Sequence, residues 1–185
     1  FPLARLPHLS AEEYCIGKGA DSFCWWIERG LEPALGRYAP GTSRGHIVYF
    51  RKDDGSFYKN RQLQDLSDEE ALRYTLKIQN AIAAADLSLD ITWIDDRQAV
   101  FRHAGVEARV TVGNGRKLRL LACYHPDDVL PISSSDHLGH FLEALGCSKK
   151  DIPDVDRPIA RMLLLREYYR LAQQSAPDLS TRGFM

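Results

Sequence analysis

Apolar and polar positions alternate from Phe23 to Glu28. Phe23, Trp25 and Ile27 fall on one side, and Cys24, Trp26 and Glu28 on the other. A period of two predicts a strand, with the first set facing the core and Trp26 sharing an outer face with a carboxylate. His46 to Arg51 reads as a second strand. Asp53-Asp54-Gly55-Ser56 is a turn, and Phe57 to Lys59 returns as a third short strand. Ser10-Ala11-Glu12-Glu13 and Ser67-Asp68-Glu69-Glu70 match the capping box that opens a helix. The first predicts a short helix from Ala11 to Gly17 or Gly19. The second predicts a helix through Asp86, with Leu72, Leu76, Ile78 and Ile82 near helical spacing. Strands are expected at Ile91–Ile94, Ala99–His103, Ala108–Val112 and Lys117–Tyr124, with Gly113-Asn114-Gly115 as a hairpin turn. Ser135 precedes a helix through Leu145, stopped by Gly146. Asp156 is the expected cap of the last helix, with Pro158 in its first turn and Met162, Leu165, Tyr169 and Ala172 as its stripe. These elements predict an α+β fold: one domain over residues 1–174, an antiparallel twisted sheet with packed helices, and a tail or linker over 175–185.

Length and composition add bounds. A chain of 185 residues is long enough for one domain with a real core. The formal net charge of -1 gives no general steering field, so any nucleic-acid contact must come from a local patch. Cys15, Cys24, Cys123 and Cys147 form no CxxC pair, which argues against a zinc ribbon and for reduced thiols in the cytoplasm. No apolar run is long enough to span a bilayer, so no membrane partner is expected. The chain opens on Phe1 rather than Met, which reads as a piece of something larger.

The sequence has no phosphate loop, HExxH or GxSxG motif. No cofactor is expected, and the chain is read as a non-enzyme. His137 and His140 lie three apart on a helix without a nearby partner ligand, so a metal there is disfavoured. Asp95, Asp96, Glu107 and Lys117 keep a metal-dependent nuclease open as an alternative, although acidic residues in turns more often only solvate the turn.

Binding fits better. Arg37, Arg44, Arg51, Lys52, Lys59 and Arg61 lie among or just after the aromatic strands and the Gly36–Gly45 loop. Basic side chains neutralise phosphates, and aromatic faces stack bases. The plainer account is that strand aromatics are core and the intervening basic residues face water.

Ser22-Phe23-Cys24-Trp25-Trp26-Ile27-Glu28 resembles the "SFC-aromatic-W-aliphatic-E" segment in the N-terminal region of some AAA+ GTPases of the McrBC type. Leu35-Gly36, Gly41-Thr42-Ser43 and His46 to Phe50 fill the place of that family's Leu-Gly and Gly-Ser-rich segment and following strand. Arg116 to His125, with Leu130-Pro131-Ile132 after it, is similar to a later family strand, without that strand's tryptophan. These systems are 5-methylcytosine-directed restriction systems with a role in antiviral defense. The resemblance implies a targeting module for double-stranded, modified DNA, with GTPase and nuclease parts elsewhere. Some domains of this type flip the target base out of the stack. On that reading Trp26 stacks the base and Glu28 accepts from the cytosine amino group. Arg37, Tyr38 and Arg44 hold flanking phosphates, and Tyr49, Lys52 and Lys59 complete the DNA-binding set. A protein-interaction or assembly domain, anchored on Trp26 and Tyr49, stays open.

Overall fold

The Ser67 capping box does what its pattern predicts. Ser67 Oγ accepts from the Glu70 amide at 3.2 Å and Glu70 Oε2 accepts from the Ser67 amide at 2.8 Å. They open α4, Asp68–Ala83, a core helix of 16 residues. Leu76, Ile78, Ile82, Ala71 and Thr75 on α4 are fully or almost fully buried. Each large aliphatic among them contributes about 1.5–3 kcal/mol of burial. The computed structural model describes residues 1–17, 21–38 and 43–184, without the side chains of residues 43, 44 and 182.

A 3-10 turn at Leu3–His8 packs on α4, and the Ser10 capping box opens α1, Ala11–Tyr14. Val48–Phe50 (β1) and Phe57–Lys59 (β2) pair antiparallel, Val48 opposite Lys59 and Phe50 opposite Phe57. The predicted turn joins them. Among the described residues this hairpin is the whole sheet. The fold is α+β, with helices packed into a single compact body, as expected.

Several predicted strands are helices. Phe23–Trp25 (α2) continues into a π-helical turn at Trp26–Gly30. Ser22 starts it by accepting from the Trp25 amide at 3.2 Å. Phe23, Cys24 and Ile27, at i, i+1 and i+4, form its buried face, and Trp25 is only half-buried. Glu32–Leu35 (α3) follows. Ile91–Ile94 contains a 3-10 turn, Thr92–Ile94. Arg97–Ala104 (α5) replaces the Ala99 strand, because Asp96 Oδ1 accepts from the Gln98 amide at 2.7 Å and the Ala99 amide at 3.3 Å. Ala108–Val112 is extended but pairs with no strand; the Arg97 guanidinium takes its Val110 and Ala108 carbonyls. Gly113 is the N-cap of α6, Asn114–Tyr124, where a hairpin turn and strand were expected. Residues 116–122 are all buried, so no exposed face betrays the helical period.

Ser135–Ala144 (α7) starts one residue from its expected cap: Ser134 Oγ accepts from the His137 amide. Pro158–Ser175 (α8) has no side-chain cap at Arg157 or Asp156. Asp95, from the turn before α5, caps it across the fold instead. Its two oxygens accept from the Ile159 and Ala160 amides at 2.9 and 3.0 Å. The expected tail returns to α8: Tyr169 donates to the Leu179 carbonyl at 2.8 Å, and Phe184, on α9 (Thr181–Phe184), packs on the Tyr169 ring. Among the described residues no helix is long and apolar enough to cross a membrane.

Candidate functional site

Two buried arginines on α6 organise the functional region. Arg119 is fully buried and serves the end of the α2–α3 segment. Its Nε donates to the Ile27 carbonyl at 3.0 Å, and its Nη1 donates to the Leu35 and Gly36 carbonyls at 2.7 and 3.1 Å. A guanidinium here satisfies the carbonyls that a helix end leaves unpaired. Gly36 then turns the chain with φ of 70°, a left-handed conformation that glycine adopts without strain. Arg37 and Tyr38 are set beside α6, with the Tyr38 ring 5.8 Å from the Arg119 guanidinium.

Arg116 is the hub of a buried polar network. Its Nε donates to Gln79 Oε1 at 2.7 Å, and its Nη2 donates to the Tyr14 hydroxyl at 3.2 Å and lies 3.7 Å from Cys24 Sγ. Its Nη1 is 3.0 Å from His46 Nδ1. Arginine can only donate, so Nδ1 accepts and His46 Nε2 carries the proton offered to Glu28 Oε2 at 3.0 Å. Ile47, next to His46, holds φ at 73°. A β-branched residue in that region stores on the order of 1–3 kcal/mol of strain, which the surrounding packing must hold.

Beside this network lies a cleft of about 500 Å³. The N-termini of α6 and α7 both border it, through Gly113 and Gly115 and through Ser133, Ser134 and His137. Arg37, Tyr38 and Arg116 also line it. Among the described lining residues there is no carboxylate. Helix N-termini present unpaired amides and a partial positive charge. Gly113 adds no side-chain cap to α6, whereas Ser134 Oγ takes the His137 amide of α7. Gly115 lets the backbone close in. A Cβ there would meet the Ser133 carbonyl oxygen at 2.8 Å and the Tyr38 ring at 3.2 Å. Such a lining has the chemistry that an oxyanion requires.

The expected DNA-binding residues are divided by the fold. Arg37 and Tyr38 meet in the cleft, with Tyr38 mostly buried. The Arg44 side chain lies outside the described residues; its backbone is in the 3-10 turn Ser43–His46. Trp26 is 38% exposed, edge-on to Trp25, and lines a separate cavity of about 510 Å³ with Phe23, Leu31 and Tyr124. The accessibility expected of Trp26 is present, but a helix provides it. Glu28 does not share its face: two helical positions separate them, and the carboxylate turns inward to His46. Tyr49 packs on Tyr58 at 4.5 Å on the hairpin, where Arg51 also approaches the Tyr58 ring. Lys52 is exposed in the turn. Lys59 is tied to the start of α4, bonding the Leu66 carbonyl and pairing with Asp68 at 3.2 Å.

The acidic set is dispersed too. Asp95 and Asp96 cap α8 and α5, and Glu107 pairs with Arg109 at 3.2 Å. Among the described residues no group of three His, Cys, Asp or Glu side chains is placed to hold a metal ion. Arg116, His137, Gly113 and Gly115 were not among the expected DNA-binding residues; His137 was weighed only as a metal ligand and the glycines only as a hairpin turn. Their signal was present in Gly113-Asn114-Gly115-Arg116-Lys117, a glycine cap followed by two cations, but the same glycines also suit a hairpin. Comparison with protein-family models, curated proteins and solved structures finds no match to this chain.

Proposed function

We propose that this chain is a DNA-binding targeting module that holds strand phosphates in the cleft between α6 and α7. One observation carries the reading: two helix N-termini, Arg37, Arg116 and His137 converge on a cleft whose described lining has no carboxylate. Backbone amides and guanidinium groups are the usual partners of phosphate oxygens. The resemblance to McrBC-type targeting regions supports the finer assignment, recognition of modified cytosine with base flipping, alongside AAA+ GTPase and nuclease parts. Trp26 offers the exposed ring on which a base stacks. Glu28, engaged by His46, serves the network behind the cleft rather than the base.

The test is fluorescence binding to methylated and unmethylated duplexes at two salt concentrations. Binding should weaken with salt, and Arg37→Ala should lower the salt slope by about one. Trp26→Ala should stay folded and lose about 1–3 kcal/mol of binding. Salt-independent binding, or none, defeats the reading. A second reading, a protein-interaction module, is favoured by the exposed Trp26 beside its apolar cavity. It becomes the better one if Trp26→Ala abolishes capture of a protein partner and leaves DNA binding unchanged.

A further inference from the structure

Arg116 and Lys117 are consecutive on α6 and so point to different sides of the helix. Arg116 lines the cleft described above. Lys117 lines another, of about 230 Å³, bounded by Asp95, Arg97, Thr111, Asn114 and Asp156. Thr111 borders both clefts. They are therefore neighbours across the uncapped N-terminus of one eleven-residue helix.

Lys117 is 6% exposed. Its stem is buried, but its ammonium is not among the fully buried polar atoms that lack a partner, so it opens on the cleft. Among the described residues Lys117 makes no hydrogen bond or ion pair, although it feels the more distant charges of Asp95 and Asp96. Burial outweighs that attraction and lowers its pKa. Asp95 also lines this cleft, but its two oxygens accept from the Ile159 and Ala160 amides at the positive end of α8, and it forms no ion pair with Lys117. The Arg97 guanidinium is bound to two carbonyls and to no carboxylate, so its charge too is unbalanced at this wall. The one carboxylate left free at the mouth is Asp156, which is exposed.

We infer that the Lys117 cleft is a second oxyanion subsite, taking the phosphate next to the one held in the Arg37 cleft. The assignment to a neighbouring phosphate rests on the DNA-binding reading above; the oxyanion chemistry stands on Lys117 and the α6 amides alone. A strand crossing the α6 N-terminus then meets cations on both sides of it, with Thr111 and Asn114 between. Asp156 opposes the anion and limits its affinity.

Lys117→Met keeps the length and apolar stem of the side chain and removes the charge. Two measurements test it. Inorganic phosphate is titrated into the isotope-labelled chain, following the Thr111 and Asn114 amide resonances. Short duplex binding is measured across a salt series. In the parent chain phosphate should shift both resonances, and Lys117→Met should abolish the Asn114 shift. The same variant should weaken duplex binding several-fold and lower the salt slope by about one. Asp156→Asn should strengthen both kinds of binding. Parent-like phosphate shifts and an unchanged salt slope in Lys117→Met overturn the subsite. A parent chain that binds phosphate at Asn114 but no duplex defeats the DNA reading and leaves the subsite standing. Should Lys117→Met fail to fold, weaker or unchanged phosphate binding by Asp156→Asn counts against the subsite.

Discussion

At the scale of single residues, the decisive side chain is Arg116. It joins Gln79, His46, Tyr14 and Cys24, contributed by four separate stretches of chain. Each of these partners is a buried polar group that would lose the guanidinium it faces. Removing one member of such a set costs more than the bond itself, because the groups left behind stay desolvated. Arg116→Ala should destabilise the fold by about 3–5 kcal/mol in urea denaturation. Arg116→Lys should recover only part, since one ammonium cannot span the planar fork of contacts. Arg37, exposed at the cleft mouth, should change stability little and act on binding alone. The contrast separates the residue that builds the cleft from the one that works in it.

At the scale of elements, α8 depends on a cap from far away. Asp95 lies more than sixty residues before the amides it accepts, so this contact ties the turn before α5 to the last long helix. Losing an N-cap carboxylate costs about 0.5–2 kcal/mol. Asp95→Ala should lower thermal stability accordingly, whereas Asp156→Ala, at the position that local sequence favours, should leave it nearly unchanged. Phosphate binding in the Arg37 cleft should survive Asp95→Ala, and its loss would mean that Asp95 contributes to the site directly. Helix α6 has the opposite arrangement. Gly113 leaves its N-terminus open, and the open amides face a cleft. In α7, which also borders the cleft, Ser134 fills part of the N-terminus. Of the two helix ends at the cleft, only that of α6 lacks a side-chain cap.

At the scale of the whole molecule, the formal net charge of -1 matters because it denies the cleft any help from a distance. Long-range steering needs a surface dominated by one sign. Here the favourable charges are confined to the α6–α7 cleft and its neighbour, and each phosphate neutralised adds about 0.9 to the salt slope. With Arg37 and Lys117 as the cations in play, the logarithmic slope of affinity against salt should be about -2. A titration over several salt concentrations checks this. A much steeper slope would mean that the hairpin cations Arg51 and Lys52 join the interface, giving a far larger footprint than the clefts provide.

Where local chemistry suffices, the sequence by itself determined the outcome. The Ser10 and Ser67 capping boxes, the turn before Phe57 and the stop at Gly146 are contacts among neighbours, and their residues have no strong alternative. The class of fold, α+β, was read from the full set of expected helices and strands, and of those strands only the hairpin of Val48–Phe50 and Phe57–Lys59 pairs in a sheet among the described residues. Tertiary structure decided the rest. Phe23 to Glu28 and Lys117 to Tyr124 are short runs in which alternation fits a strand and burial fits a helix. Packing against α4 and the 23–38 segment settled them, because an element buried on all sides carries no readable period. Trp26 came out exposed for a helical reason rather than for its place in an alternation. Arg37 and Tyr38 were legible as cleft residues, since they sit in a Gly-rich loop beside strong chemistry. Arg116, His137 and Lys117 were not. Their roles come from helix ends and a buried network, assembled by contacts between residues far apart in the chain, such as Arg116 with Tyr14, that no local pattern encodes.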